Sequence, residues 1–169
     1  AAYQIVKSPD RGSAQLNLQA SWLTRRPWSP QNGLASAGAF IDGTHFAVAS
    51  DETNKLQIYE RGKPQPIGNG IDMETFTSFD KSDLEAAAVI GDRIYWISSH
   101  SFNSRGEDRP KRKVFFATKI VQANGKPSLE GVGKPVKSLR DPLAKAAGIK
   151  LEEMNIEALT ATPEGGLLI

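Results

Sequence analysis

The chain has 169 residues, 24% of them charged, and its 21 lysines and arginines nearly balance its 19 aspartates and glutamates, giving a net charge of +2. This length predicts about one compact domain, and the balanced charge argues against nucleic acid as a partner. Cysteine is absent, which excludes disulfides, thiolate metal sites and cysteine nucleophiles. No apolar run approaches the ~20 residues of a membrane-spanning helix, so no membrane span is predicted.

Residues 1–33 are predicted to form an N-terminal strand and a connection. Apolar and polar side chains alternate over residues 14–18, as is typical of a strand, and prolines interrupt residues 22–30. The sequence opens with Ala1-Ala2-Tyr3 and no methionine, which fits a mature end after signal-peptide removal and equally fits a trimmed chain. We therefore expect a periplasmic or secreted protein.

Residues 34–169 are predicted to be mostly short antiparallel strands joined by turns. Strands are expected over residues 37–41, 46–50, 56–60, 84–90, 93–98, 114–121, 156–162 and 167–169, with one more after the turn Asn124-Gly125. A long polar loop, residues 99–113, separates two of them. One short helix is predicted, with Asp141 as its N-cap, Pro142 at its first position and Gly148 as its C-terminal stop.

An internal repeat organises these strands. Units that start near residues 36, 84 and 156 each combine small and apolar residues with a glycine-containing turn. The turn glycines Gly43 and Gly91 mark a period within the ~40–50 residues of a β-propeller blade. Three units cannot close a ring of four to eight blades. We therefore predict an all-β fold, a β-propeller of which about three four-stranded blades are present, with the remainder missing or in a second chain.

Six segments of the chain, taken in order along the sequence, resemble those of a known protein family. They are residues 36–40 (SAGAF), 49–59 (ASDETNKLQIY), 83–87 (DLEAA), 95–101 (YWISSHS), 109–112 (RPKR) and 155–159 (NIEAL). Together they resemble the DUF3616 family of bacterial proteins, from about residue 34 to the end of the chain. This resemblance implies a β-propeller, more distantly similar to phytase-like and esterase-like propellers. The chain departs from those in having Ala86 and Ala158 where related propellers often have glycine.

Two glutamates occupy equivalent places in two of the repeat units. Because the first strand of each blade lines the channel of a propeller, Glu85 and Glu157 would point towards one axis. Ca²⁺ takes 6–8 oxygen ligands and suits such converging carboxylates, as the distant phytase-like resemblance also implies. Alternatively, each glutamate accepts backbone hydrogen bonds from the next blade, or contacts substrate. Asp83 and Asp51 are further oxygen candidates, although residues 51–54 also read as a solvated hairpin loop.

The loop over residues 99–113 holds the one marked cluster of basic residues in the sequence. Five basic residues lie within residues 105–113, against Glu107 and Asp108, and His100 precedes them. Guanidinium groups bind phosphates and carboxylates through paired hydrogen bonds. The predicted ligand-binding residues for a small anion are His100, Arg105, Arg109 and Arg112. The alternative is a surface hairpin that is basic because it is solvated.

The sequence is therefore consistent with two alternative functions. The first is a hydrolase of phosphate or other ester bonds that uses Ca²⁺ held by Glu85 and Glu157. The second is a non-catalytic propeller scaffold that binds a ligand or another protein. No nucleophile elbow, zinc-protease motif or phosphate-binding loop is present in the sequence. The fold cannot choose between the two functions.

Overall fold

Strands dominate the computed structural model, which describes residues 3–4, 35–50 and 52–169. The strands are β1 (Tyr3–Gln4), β2 (Ala35–Phe40), β3 (His45–Ser50), β4 (Lys55–Glu60), β5 (Ile71–Asp72), β6 (Leu84–Ile90), β7 (Arg93–Ser98), β8 (Phe115–Ala123), β9 (Lys126–Val136), β10 (Thr160–Ala161) and β11 (Leu167–Leu168). The helices are α1 (Glu74–Thr77) and α2 (Arg140–Ala147), with short 3₁₀ turns at Pro110–Arg112 and Leu151–Glu153. The elements predicted over residues 14–18 and 22–30 lie outside the described residues.

Two four-stranded antiparallel sheets form the body of the described chain. Their strand orders are β2-β3-β4-β5 and β6-β7-β8-β9, so each strand pairs with the next one in the sequence. In a third, smaller sheet, β10 pairs antiparallel with β11, and β1 pairs parallel with the other side of β11. These antiparallel sheets confirm the predicted all-β class.

The first hairpins of the two large sheets share one irregularity. The β2–β3 register shifts between Ala35 and Ala37, and the β6–β7 register shifts between Leu84 and Ala86. Ser36 and Glu85 are therefore the extra residues of two equivalent β-bulges, which break the ladder locally and re-aim the strand. The repeat seen in the sequence is thus a repeat of backbone geometry, with serine in one unit where the other has glutamate.

The two large sheets pack face to face over a common apolar core. Leu56 and Ile58 of the first sheet and Ile94, Trp96 and Phe116 of the second are all at most 2% exposed within it. Their positions follow from the alternation of inward and outward side chains along each strand.

A second core covers the opposite face of the β6–β9 sheet. It joins Ala86, Ala88 and Ile97 of that sheet to α2 and to apolar residues that follow the helix. β6 and β7 therefore have buried residues on both faces of the sheet. The first strands of the units also lie side by side, β2 next to β6 and β6 next to β10.

The predicted helix is present but begins earlier than expected. Its N-cap is Leu139, without a side-chain cap, and Asp141 lies in the first turn, where a carboxylate still favours the helix dipole. Burial of Leu139 in the second core explains the earlier start. Gly148 ends the helix in the left-handed conformation (φ 64°), as predicted.

The strand predicted over residues 156–162 is mostly irregular, and only Thr160–Ala161 pair as a strand. The reason is the backbone partner of Ile156, whose N–H donates to the carbonyl of Ser99 at 2.7 Å, in a loop. Ile156 and Leu159 are nevertheless buried in the second core. Their apolar character reports this burial and not strand pairing.

Asn54 ties the β3–β4 connection to the segment between β5 and β6 through buried polar contacts. Only 2% of it is exposed, and its amide nitrogen lies 2.8 Å from Thr77 Oγ1 and 2.7 Å from Ser82 Oγ. The reading of residues 51–54 as a solvated loop is therefore wrong for Asn54, although Glu52 and Thr53 are exposed. Asp51 lies outside the described residues. Within residues 35–50 and 52–169, no helix has the length and apolar character needed to cross a membrane.

Candidate functional site

The candidate site lies where the β6–β7 hairpin opens into the long loop over residues 99–114. Leu84 pairs with Ser98 at this end of the hairpin, which places Asp83 opposite Ser99. The Ser99 N–H donates to the Asp83 carbonyl at 3.1 Å, and the Ser99 hydroxyl donates to Asp83 Oδ2 at 2.6 Å. The equivalent connection in the first large sheet, between β3 and β4, spans only residues 51–54.

The base of this loop is closed by short hydrogen bonds. Ser98 Oγ donates to the Val114 carbonyl and accepts from the Val114 N–H, both at 2.8 Å. The next backbone bond runs from the His100 N–H to the Arg112 carbonyl at 2.8 Å. The loop therefore leaves the sheet and returns to it at a fixed width.

Arg140, at the start of α2, holds the interior of the loop. Its Nε donates to the His100 carbonyl at 2.7 Å, its Nη2 to the Ser101 carbonyl at 3.2 Å and its Nη1 to Asp108 Oδ1 at 2.7 Å. The guanidinium carbon also lies 4.4 Å from the centre of the Phe102 ring, a cation–π distance. The Arg140 side chain is only 5% exposed. No motif or charge cluster in the sequence marks Arg140 as part of the site.

Beside the loop lies a cleft of about 310 Å³ with a mostly cationic lining. We refer to it as the basic cleft, and its residues are Lys81, Asp83, Asn103, Arg109, Lys111 and Arg112. Four of the six are cations and one is a carboxylate. A concave site with this charge attracts anions.

Arg112 is the fixed cation of the basic cleft. Its Nε lies 3.2 Å from Asp83 Oδ2. Its Nη1 donates to Ser101 Oγ at 3.0 Å and to the Phe102 carbonyl at 3.2 Å. These bonds orient the guanidinium plane before any ligand arrives, which lowers the cost of ordering it on binding.

The other cations are held loosely. Lys81 pairs with Glu52 and Arg109 pairs with Glu107, and all four side chains are 32–61% exposed. Exposed pairs of this kind contribute ~0–1 kcal/mol, so an anion can replace either carboxylate at little cost. Lys111 makes no ion pair or side-chain hydrogen bond with any residue of the described chain. Its ammonium is therefore available to a ligand.

The predicted ligand-binding residues separate into two groups. Arg109 and Arg112 line the basic cleft, together with Lys111. Arg105 is exposed and lies outside the cleft lining. His100 is fully buried, so its place is beneath the loop and not on the cleft wall.

The imidazole of His100 is held on one side only. Its Nδ1 lies 2.8 Å from the Ser98 carbonyl, and its buried Nε2 has no hydrogen-bond partner. Burial lowers the pKa of His100 below its ordinary 6.5; the positive charges of Arg140 and Lys113 add to this effect, and the bond to the Ser98 carbonyl opposes it. The imidazole is therefore neutral in the folded protein at neutral pH.

Acidification from pH 7.5 to 5 is expected to destabilise the protein through His100. The unfolded chain protonates this imidazole near pH 6.5, whereas the folded chain protonates it only at lower pH. The free energy of unfolding therefore decreases as the pH is lowered, by at most about 1.4 kcal/mol per pH unit. The His100→Asn variant should show a flatter dependence of stability on pH, because it lacks the titrating imidazole. Asparagine is chosen because it tolerates the positive φ of 54° at this position. Urea denaturation at pH 5 to 8 measures the difference, and parallel profiles for both proteins would contradict the assignment.

The two glutamates proposed as calcium ligands lie on neighbouring units. Glu85 is half-buried at its bulge, and Glu157 is exposed and accepts a hydrogen bond from the Asn155 amide. Among the described residues, no group of three or more histidine, aspartate or glutamate side chains is placed to hold a metal ion. The calcium site therefore stays a prediction from the sequence.

Comparison of the chain with protein-family models, with curated proteins and with solved structures finds no match. The basic cleft must therefore be interpreted from its own geometry.

Proposed function

We propose that this chain is part of a β-propeller whose basic cleft binds a small anion, either a phosphate or a carboxylate. The observation that carries the proposal is the lining of the cleft, in which Lys81, Arg109 and Lys111 join the fixed guanidinium of Arg112.

The sheet arrangement supports the propeller part of the proposal. In a propeller, four-stranded antiparallel sheets pack face to face around an axis, and their first strands stand next to one another. Both features occur here, since the two large sheets share a core and β2, β6 and β10 are neighbours. The matched bulges at Ser36 and Glu85 add a shared blade geometry. On this proposal the remainder of the ring is the chain's main protein partner.

The chemistry of the cleft supports binding more directly than hydrolysis. Hydrolysis of an ester requires an activated nucleophile or a metal-bound water. Ser99, whose hydroxyl bonds to Asp83, is 2% exposed, and neither it nor His100 lines the cleft. The lining residues supply positive charge and hydrogen-bond donors. The calcium-dependent hydrolase remains the second hypothesis, and it rests on the equivalent positions of Glu85 and Glu157 in the repeat and on the distant sequence resemblance.

Titration calorimetry with inorganic phosphate and with acetate, at low ionic strength, tests the proposal. The double variant Arg109→Gln/Lys111→Gln removes two cations of the cleft lining, and we expect at least one of the anions to bind it ten-fold or more weakly, as each charge-assisted bond contributes ~1.5 kcal/mol or more. Lys126→Gln, an exposed lysine in the β8–β9 turn region, is the matched control and should bind like the parent protein. Absence of binding to the parent, or equal binding by the double variant, would refute the anion site.

A further inference from the structure

We infer that the ligand of the basic cleft carries a hydrogen-bond donor, a hydroxyl or an ammonium group, beside its anionic group, and that Asp83 accepts from this donor. The inference rests on the proposed anion site and narrows its ligand to a chemical class.

The two oxygens of the Asp83 carboxylate differ in their contacts. Its Oδ2 is occupied, since it accepts from Ser99 Oγ at 2.6 Å and lies 3.2 Å from Arg112 Nε. Its Oδ1 accepts no hydrogen bond from any residue of the described chain. The side chain is 12% exposed and forms part of the cleft wall. The cleft thus contains one carboxylate oxygen that is not fully buried and that the described residues leave unbonded.

The backbone of Asp83 has an unusual conformation. Asp83 has φ 55°, in the left-handed region that residues other than glycine seldom adopt, and aspartate and asparagine are the most tolerant of it. Its neighbours Ser82 and Leu84 are at most 1% exposed. The buried neighbours hold the backbone in this conformation, and strained backbone of this kind clusters at ligand sites. Together with the contacts of Oδ2 to Ser99 and Arg112, this backbone restrains the carboxylate at the cleft wall.

The Asp83 carboxylate has opposite effects on two kinds of ligand. A simple anion bound to Arg112 and Lys111 meets the negative charge of Asp83 on the same wall, and like charges at such range repel. A ligand whose hydroxyl or ammonium group donates to Oδ1 replaces this repulsion with a charge-assisted hydrogen bond. Asp83 therefore selects against bare anions and for anions that also carry a donor, which is selection by a repulsive as well as an attractive element.

The size of the cleft limits the ligand further. A volume of about 310 Å³ lies at the lower end of the ~300–1,000 Å³ range of small-molecule sites. The class that fits is a small hydroxy- or amino-substituted carboxylate or phosphate monoester. Both members share the same two recognition groups, an anion for the cations and a donor for Asp83.

Matched ligands that differ in one group test the inference. Titration calorimetry at pH 8, where ethyl phosphate is a dianion without a P–OH donor, compares propionate with lactate and alanine, and ethyl phosphate with phosphoethanolamine, on the parent protein and on Asp83→Asn. Asparagine keeps the tolerance for positive φ and an oxygen that can accept from Ser99. We expect the parent to bind at least one donor-bearing ligand ten-fold or more tightly than its bare counterpart, and Asp83→Asn to reduce this preference to about threefold or less, most of all for the ammonium ligands.

The controls separate failure of this inference from failure of the anion site. Asp92→Asn, an exposed change at the opposite end of the same hairpin, should keep the preference of the parent. Equal binding of bare and donor-bearing ligands by the parent would overturn the role of Asp83 and leave the anion site standing. Absence of binding by every ligand would overturn both. If Asp83→Asn does not fold, the comparison of ligands on the parent protein alone decides the outcome.

Discussion

Replacing Arg140 with methionine is expected to lower the free energy of unfolding by about 3 kcal/mol and to abolish anion binding in the basic cleft. Methionine keeps most of the buried volume and the helix propensity of this position, but it removes the guanidinium. The carbonyls of His100 and Ser101 then lose their donor in the interior of the loop. Asp108 is half-exposed and keeps Lys113 as a partner, so the loss comes mainly from the carbonyls.

The expected loss of binding follows from the order of the loop. Arg109, Lys111 and Arg112 lie on its returning half, and Arg140 connects both halves to α2. Without this connection the three cations are no longer held at fixed positions relative to one another. Chemical denaturation followed by far-UV circular dichroism measures stability, and phosphate titration measures binding. Lys145→Met, an exposed change on the same helix, is the control for stability. A folded Arg140→Met protein that still binds phosphate normally would show that the loop is ordered by other contacts.

Truncation of Trp96 to alanine is expected to have the largest effect on the fold, a loss of about 4 kcal/mol in the free energy of unfolding. Trp96 is completely buried between the two large sheets, stacks on Phe116 with ring centres 6.5 Å apart, and donates from Nε1 to Thr118 Oγ1 at 3.0 Å. Its removal leaves a cavity at the interface between the sheets. Since domains are stable by only ~5–15 kcal/mol, the variant should melt at much lower temperature.

A second substitution separates the volume of Trp96 from its hydrogen bond. Thr118→Val keeps the shape but leaves the indole N–H unpaired in the core, at a cost of about 1–3 kcal/mol. Phe40→Ala serves as the surface control, because Phe40 is 53% exposed, and should cost about 1 kcal/mol or less. Thermal unfolding of the three variants ranks them. A Trp96→Ala loss no larger than that of Phe40→Ala would mean that the two sheets do not depend on this shared core.

The sequence predicted those features that depend on neighbouring residues. Alternating apolar side chains located β3, β4 and β7 within one or two residues, and Gly148 marked the end of α2, because strand periodicity and left-handed caps are local properties. The same reasoning found the basic loop and two of its cleft-lining arginines, since clustered charge is visible in the sequence.

The features that were missed depend on contacts between distant residues. Arg140 bonds to His100, which is 40 positions away in the sequence, and a lone arginine at the start of a helix carries no local sign of burial. His100 itself follows two serines at a strand end and reads as a surface residue. Asn54 was similarly misread, because its buried partners Thr77 and Ser82 come from a later connection. Each of these polar residues is buried and hydrogen-bonds to a partner far along the chain, in the case of His100 through its backbone carbonyl.

The unequal connections in the two large sheets bear on how such a site arises. The β3–β4 connection spans residues 51–54, whereas the β7–β8 connection spans residues 99–114 and carries the cations of the basic cleft. The strands on either side keep the same order and the same bulge in both sheets. Since lengthening a surface connection adds little to the entropy cost of closing it, a repeat unit can acquire or exchange a recognition loop without disturbing its strands. Proteins that share this frame can therefore diverge completely in what they bind, and strand similarity between them predicts little about shared specificity.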